Sequence, residues 1–285
     1  MGGIYDEPEF YAIACAYRDV RGDVAALLRW WERHRGDGYP AAPRSVLELA
    51  AGPAEHARLL ASRGLSATTL DVNPVMCAWA RDRAAEAGVE LTVTEADMRD
   101  FTLGSQFDLA ITMLNSLCHL TALDDMVAHL MSLARHVAPG GLYIAELAHP
   151  ADWLTPHPRT SSEWVTEVDG GSATVRWGGP GDLIDPVTQV VREHVAVTYR
   201  TADGSARTVT DVVPNRFWTA TELDAAIRLA GGFETVARYG DFDEDLALDA
   251  PGAWRLILVL RRTAAAPRGR IAAAPLGRTA AGDGD

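Results

Sequence analysis

Val46-Leu47-Glu48-Leu49-Ala50-Ala51-Gly52-Pro53-Ala54-Glu55-His56 is the stretch that decides the fold. It reads as a buried strand, a tight turn of small residues, and the start of a helix whose apolar positions are Ala57, Leu59, Leu60 and Ala61. A strand that ends in small residues and feeds a helix N-terminus lets a ligand approach the backbone at the strand's carboxyl end. Glu48, inside that strand end, is the unusual part. A site for pyrophosphate would keep a carboxylate away from the phosphates, whereas a cationic or hydroxyl-bearing ligand could use one.

The same unit repeats downstream. Ser66 to Leu70 is a second strand closing on Asp71, and Asn73-Pro74 starts a helix that runs to about Ala87 and stops at Gly88. Glu90 to Val93 is read as strand three and Phe107 to Met113 as strand four. Asp124 opens a helix with Met126, Val127, Leu130, Leu133, Ala134 and Val137 at helical spacing, ended by Pro139-Gly140-Gly141 before a fifth strand, Leu142 to Leu147. Repeated βα units from Ser45 to Leu147 predict an α/β, Rossmann-like, doubly wound and mostly parallel sheet.

Around this core (44–150) the texture changes. Residues 1–43 read as two N-terminal helices and a Gly/Pro linker. Residues 151–218 alternate with period two around Asp169-Gly170 and Asp203-Gly204, which are hairpin signals, so an antiparallel β insertion is expected over the carboxyl ends of the parallel strands. Residues 219–262 return to the core sheet through a Thr219/Glu222 capping box, and 263–285 is expected to be a disordered tail.

Composition excludes several function classes. The net charge is −13, against nucleic acid as a main partner. The sequence contains no lysine, so a lysine nucleophile or Schiff base is impossible. Cys15, Cys77 and Cys118 have no close spacing for a disulfide framework or a zinc site, and no metal cluster is expected. Met1 to Glu7 lacks the features of a signal peptide and no apolar run is long enough to span a membrane. A soluble, cytoplasmic protein without a membrane partner is expected, with homodimerisation left open.

Glu48-x-Ala50-x-Gly52-x-Ala54 resembles the E/D-x-G-x-G-x-G turn of class I S-adenosylmethionine-dependent methyltransferases, small-molecule type. Alanine replaces the first and third glycines, which preserves close approach only if neither position takes a positive φ. Asp71, at the next strand end, stands where an acidic residue takes ribose hydroxyls. Glu95-Ala96-Asp97-Met98 resembles the adenine-binding segment, and Phe107 through Leu120 the motif whose first loop residues face the transferring methyl. The resemblance covers about Tyr5 to Arg262. It implies S-adenosyl-L-methionine as cofactor, with S-adenosyl-L-homocysteine as product, bound by Tyr11, Arg18, Glu48, Ala50, Gly52, Asp71, Val72, Asp97, Met98, Met113 and Asn115. Arg18 is the candidate for the methionine carboxylate; a solvated helix arginine is the alternative.

The resemblance further implies that the N-terminal helices form a lid and that the insertion walls an acceptor pocket. Tyr17, Trp153, Arg216, Trp218 and Tyr239 are the candidate substrate residues, with Trp164 and Trp177 beside them. His119 and His149, at the ends of strands four and five, could each deprotonate an acceptor, or be structural. His56 reads as a helix-surface residue. The expected reaction is methyl transfer to an amine or hydroxyl of a small-molecule metabolite, with N-methylation favoured. A nicotinamide-dependent oxidoreductase would need G-x-G-x-x-G, which Gly52-Pro53-Ala54-Glu55-His56 lacks. A non-catalytic methyltransferase-like binding protein is the other alternative.

Overall fold

The computed structural model describes residues 3–154, 160–168, 170–243 and 246–265. The tail expected to be disordered falls, from residue 266 on, outside the described residues.

Two helices come first, α1 (Pro8–Cys15) and α2 (Val20–His34), the second capped by Asp19, whose carboxylate accepts from the Gly22 amide. The α/β core follows in chain order as β1 (Ser45–Leu49), α3 (Glu55–Ser62), β2 (Ser66–Asp71), α4 (Pro74–Glu86), β3 (Thr92–Glu95), β4 (Phe107–Thr112), α5 (Leu123–His136) and β5 (Val137–Ala148). An inserted sheet of β6 (Ser161–Val168), β7 (Gly171–Gly178), β8 (Val190–Thr201) and β9 (Ala206–Arg216) precedes α6 (Ala220–Ala230), β10 (Phe233–Tyr239) and β11 (Arg255–Arg262).

The seven-stranded sheet has the order β10-β11-β5-β4-β1-β2-β3. The pairs β1/β2, β2/β3, β1/β4 and β4/β5 are parallel, while β11 runs antiparallel to both β5 and β10. The chain leaves β1 toward β3 on one side and toward β5 on the other, so β1/β4 is the topological switch point, where open α/β sheets bind ligands beyond the strands' carboxyl ends.

Alternation along β1 shows how the sequence builds the two layers. Leu47 and Leu49 pack with Leu130 and Leu133 of α5 and Leu223 and Ile227 of α6, while Val46 faces Trp30 and Trp31 of α2 and Leu60 of α3. A third apolar cluster joins Phe10 and Ala14 of α1 to Val175, Val195, Val197, Val209 and Val213 of the inserted sheet. That contact holds the first helix between the two sheets.

Two boundaries differ from the expectation. Strand three begins at Thr92 rather than Glu90, because Gly88 is left-handed (φ 65°) and the Val89 amide turns back to the Ala84 carbonyl at 3.1 Å. Helix α5 ends at His136, and Pro139-Gly140-Gly141 lies within β5, at a register shift against β4. Gly141 cannot be replaced freely there, since a Cβ would come within 2.5 Å of the Asp108 carbonyl oxygen. Among the described residues, no helix is long and apolar enough to cross a membrane.

Candidate active site

The turn after β1 takes a shape that its alanines resist. Ala50 (φ 48°), Gly52 (φ 49°) and Ala54 (φ 57°) are all left-handed, so the condition set by the two missing glycines is not met. Each alanine there carries about 1–2 kcal/mol of backbone strain, of the kind that collects at ligand clamps. The turn is held open by hydrogen bonds to the neighbouring strand end. The Gly52 amide donates to Asp71 Oδ2 at 2.8 Å, and the Ala51 amide to the Leu70 carbonyl at 3.1 Å. Asp71 Oδ1 accepts from the Asn73 amide at 2.9 Å, which leaves lone pairs on both oxygens. Burial raises the Asp71 pKa, opposed by these backbone donors.

Beneath the turn lies a buried ion network that spacing could not reveal. Glu48 accepts from the Ala57 amide at 2.8 Å and faces His56 Nδ1 at 3.5 Å, while His56 Nε2 meets Asp23 Oδ2 at 3.1 Å. Burial alone would push the His56 pKa down; its hydrogen bonds and charge contacts with Asp23 and Glu48 override that and raise it to about 9. His56 is therefore a buried cation and not a helix-surface residue. Arg18 bridges Asp23 (2.9 Å) and Glu146 (2.9 and 3.0 Å) with 4% of its side chain exposed. Arg255 pairs with the same Glu146 at 3.0 Å. Three cations thus face three carboxylates, a balance that buried charges require. Glu146 Oε2 also accepts from the Leu114 amide at 2.9 Å. Leu114 (φ 54°) and Asn115 (φ 60°) form a second strained corner, where the Ala148 amide donates to Asn115 Oδ1 at 2.9 Å and the Cys118 amide to the Asn115 carbonyl at 2.9 Å.

Over these two corners stands a cavity of about 910 Å³. Its floor is Ala50, Gly52, Asp71, Val72, Asp97, Met98 and Asn115, with Tyr11 of α1 above. Asp97 accepts from the Arg99 amide and guanidinium at 2.6–3.0 Å, and these hydrogen bonds lower its pKa. The other end is aromatic, with Tyr5, Tyr17, Trp153, Trp164, Trp177, Phe217 and Trp254 on its wall. Tyr17 meets Trp164 edge-on at 5.5 Å, and Trp164 Nε1 donates to the Ala14 carbonyl at 3.1 Å, which ties β6 to α1.

His119 reaches the cavity and His149 does not. His119 follows Asn115 in a 3-10 turn (Ser116–His119); its Nε2 lies 3.1 Å from the Tyr5 hydroxyl, with the two rings perpendicular at 5.4 Å. The protein packed around the ring lowers its pKa, only partly offset by the Pro214 carbonyl, so neutral imidazole dominates at pH 7. His149 instead caps a 3-10 turn. Its Nδ1 accepts from the Ala151 amide at 3.1 Å and its Nε2 donates to the Leu248 carbonyl at 2.9 Å, so both nitrogens are committed.

Other expected site residues also stand elsewhere. Arg18, Glu48 and Met113 line a small adjoining pocket on the network side of the turn. The Arg18 guanidinium is held by carboxylates of the protein, which removes it from the role expected at the methionine carboxylate. Arg216 lies over Trp218 at 4.0 Å and bonds the Thr121 carbonyl, Gln189 and Glu222. Trp218 is in the core under α6, and Tyr239 stacks on Trp30 at 4.6 Å with its hydroxyl 2.6 Å from His34. For these three the family resemblance implied a wall, but the side chains pack against the protein's own layers.

Sequence reasoning missed Glu193, which lines the cavity's aromatic end from β8. The signal was present. Period two places Val191, Glu193, Val195 and Val197 on one face, and a carboxylate interrupts an otherwise apolar row.

Comparison with known proteins fits this geometry. Residues 46–141 match the methyltransferase domain family. The chain is 35% identical over 160 residues to a dTDP-3-amino-3,6-dideoxy-alpha-D-glucopyranose N,N-dimethyltransferase of Streptomyces fradiae, covering 56% of each protein. It is 27% identical to a dTDP-3-amino-3,4,6-trideoxy-alpha-D-glucopyranose N,N-dimethyltransferase of Streptomyces venezuelae, covering 66% of this chain and 74% of that one. The chain thus spans little more than half the length of the first relative. The fold matches Streptomyces venezuelae DesVI (TM-score 0.70, 20% identity, 86% of this chain and 92% of that one). It also matches SAM-bound CalS10, an amino pentose methyltransferase from Micromonospora echinaspora (TM-score 0.67, 22% identity, 89% and 95%). Residues 46–141 of this chain thus match a methyltransferase domain, and the chain has the Rossmann-like fold of solved methyltransferases such as CalS10.

Proposed function

We propose that the protein is an S-adenosylmethionine-dependent methyltransferase acting on the amine of a small-molecule metabolite. The observation that carries this is the continuity of one cavity, from Gly52, Asp71 and Asp97 at the strand ends to the Tyr5–His119 pair and the aromatic wall. The residues fit the cofactor. Both Asp71 oxygens are pinned by backbone amides and keep lone pairs for two ribose hydroxyls. A Cβ on Gly52 would have its nearest contact, the Tyr11 ring, at 3.7 Å, so the turn is an uncrowded cradle. Asp97 can accept from an adenine amino group while Met98 flanks the ring.

When bound, S-adenosylmethionine supplies an electrophilic methyl group on a sulfonium, transferred in line to leave S-adenosylhomocysteine. The protein aligns the acceptor, excludes water and takes up a proton. Tyr5 keeps its hydroxyl proton, because burial raises its pKa well above the ordinary value. It can therefore act as a relay, accepting the acceptor's proton as it passes its own to neutral His119 Nε2. The printed activities of the Streptomyces relatives, N,N-dimethylation of amino sugars, support nitrogen as the methylated atom.

Isothermal titration with S-adenosylhomocysteine and with a nicotinamide dinucleotide tests the reading. Binding of the first alone is expected; binding of the dinucleotide alone, or of neither, overturns it.

A further inference from the structure

From the aromatic end of the cavity we infer that Glu193 recognises the acceptor as a cation, taking its ammonium group at Oε1. This deepens the methyltransferase reading by naming the charge state in which the acceptor arrives.

The side chain is built for such a contact. Glu193 stands in the inward row of β8, where its neighbours Val191, Val195 and Val197 are apolar, and it is 8% exposed. A carboxylate at such a position is destabilising unless something answers it. The protein answers only half. Trp177 Nε1 donates to Oε2 at 3.0 Å, and Asn215 Nδ2 donates to the same oxygen. Among the described residues no protein donor reaches Oε1, and Glu193 lines the cavity. No basic side chain is ion-paired with it among the described residues. Asn215 is itself oriented by Cys118, whose Sγ lies 3.1 Å from Asn215 Oδ1. A hydrogen-bonded chain thus runs from the 3-10 turn that carries His119 to Glu193, fixing the carboxylate relative to the proton acceptor.

The surroundings also select for positive charge. Trp177, which donates to Glu193, and Trp164 line the same space. The faces of desolvated aromatic rings attract cations through the ring quadrupole. A neutral hydroxyl could donate to Oε1, but it would leave the buried carboxylate's charge unbalanced. An ammonium supplies both the proton and the countercharge. Burial raises the Glu193 pKa, opposed by Asn215 and Trp177, so acidification discharges the anchor earlier than it would a solvent-exposed glutamate.

The test pairs trans-2-aminocyclohexanol with trans-cyclohexane-1,2-diol, titrated into protein saturated with S-adenosylhomocysteine. The wild type is expected to prefer the ammonium probe at least tenfold, and Glu193→Gln to abolish that preference while binding S-adenosylhomocysteine within twofold of the wild type. Equal binding of the two probes by the wild type, or an undiminished preference in the variant, overturns the assignment. Should the variant not fold, the wild type alone decides. Its preference must shrink as pH falls through the raised Glu193 pKa, and a preference that persists after the carboxylate is protonated overturns the assignment. The methyltransferase reading fails separately, by absence of S-adenosylhomocysteine binding, and the probe pair can then be titrated into the free protein.

Discussion

The two ends of the cavity are made in different ways. The floor under Asp71 comes from loops directly after parallel strands, and meets the cavity through strained backbone at Ala50, Leu114 and Asn115. That backbone is locked from below by the charged network of Glu48, His56, Asp23, Arg18, Glu146 and Arg255. The aromatic end comes from alternate residues of antiparallel strands and from α1, held together by valines, Phe10 and Ile4. One end is preorganised by charge and strain, the other by apolar packing around a single carboxylate. In the proposed function the donor's floor needs fixed hydrogen-bond geometry, whereas a wall of aromatic residues on strand faces can be exchanged residue by residue without disturbing that floor.

Breaking the network should therefore harm the floor most. Glu146 is fully buried and is shared by Arg18, Arg255 and the Leu114 amide. Glu146→Gln leaves two buried guanidiniums short of a carboxylate, and removing one partner of a buried pair costs about 3–5 kcal/mol. Urea unfolding should show that loss, together with weaker S-adenosylhomocysteine binding, because Leu114 is no longer held. A loss below about 1 kcal/mol, typical of exposed pairs, would break the contrast between the two ends.

The network's pH dependence gives the next largest effect. The His56 pKa is raised above the unfolded value of 6.5 to about 9, so the protonated form is the one that folding favours. Its contribution is fully present below about pH 6.5, declines as pH rises, and is lost above about 9. That shift corresponds to on the order of 3 kcal/mol. Unfolding free energies of the wild type at pH 6 and pH 9.5 should differ by about this amount more than those of His56→Gln. Parallel pH profiles for the two proteins would show that His56 is not the buried cation.

How far the sequence foretold this molecule follows the same division. The βα units, the Asn73 cap, the Thr219/Glu222 box and the hairpins are each specified within a few residues, and apart from the two shifted boundaries at β3 and β5 each appears where local pattern puts it. That Asp71 and Asp97 line one cavity was legible because a strand end fixes where the next residues go. The network was not, since Asp23 and His56, or Arg18 and Glu146, meet only after α2, α3 and β5 have packed. Arg18 looked like a free cation on a lid helix and His56 like a surface residue; both are buried by tertiary contacts that periodicity does not encode. At the acceptor end Arg216, Trp218 and Tyr239 have the composition of a binding wall, but tertiary packing places them in the protein's own layers. Glu193 was legible in principle, as a charge in a row of valines.

A change confined to the floor's surface should affect binding and leave folding alone. In the proposed site Asp71 is the acceptor for two ribose hydroxyls, so Asp71→Ala should weaken S-adenosylhomocysteine at least tenfold by calorimetry, the loss of one to two charge-assisted hydrogen bonds. Because burial raises the Asp71 pKa, wild-type affinity should also fall as pH drops through that pKa, a dependence absent from the variant. Unchanged affinity in Asp71→Ala would place the ribose elsewhere.

The smallest effect concerns the strain in the first turn, and separates backbone from packing. Restoring glycine at a left-handed alanine relieves about 1–2 kcal/mol, while the freer unfolded chain takes back about 0.4–1 kcal/mol. Ala50 is only partly buried, so Ala50→Gly should gain about 0.5–1 kcal/mol, visible as a small rise in Tm. Ala54 is equally left-handed but fully buried against α2 and α4, and loss of its methyl removes about 0.8 kcal/mol of packing. Ala54→Gly should therefore be close to neutral. If both variants gain equally, packing beneath the turn is looser than the structure has it; if neither gains, the left-handed backbone at these positions is not strained. Two alanines that share one backbone conformation thus divide the floor's stability between its strain and the layer it rests on.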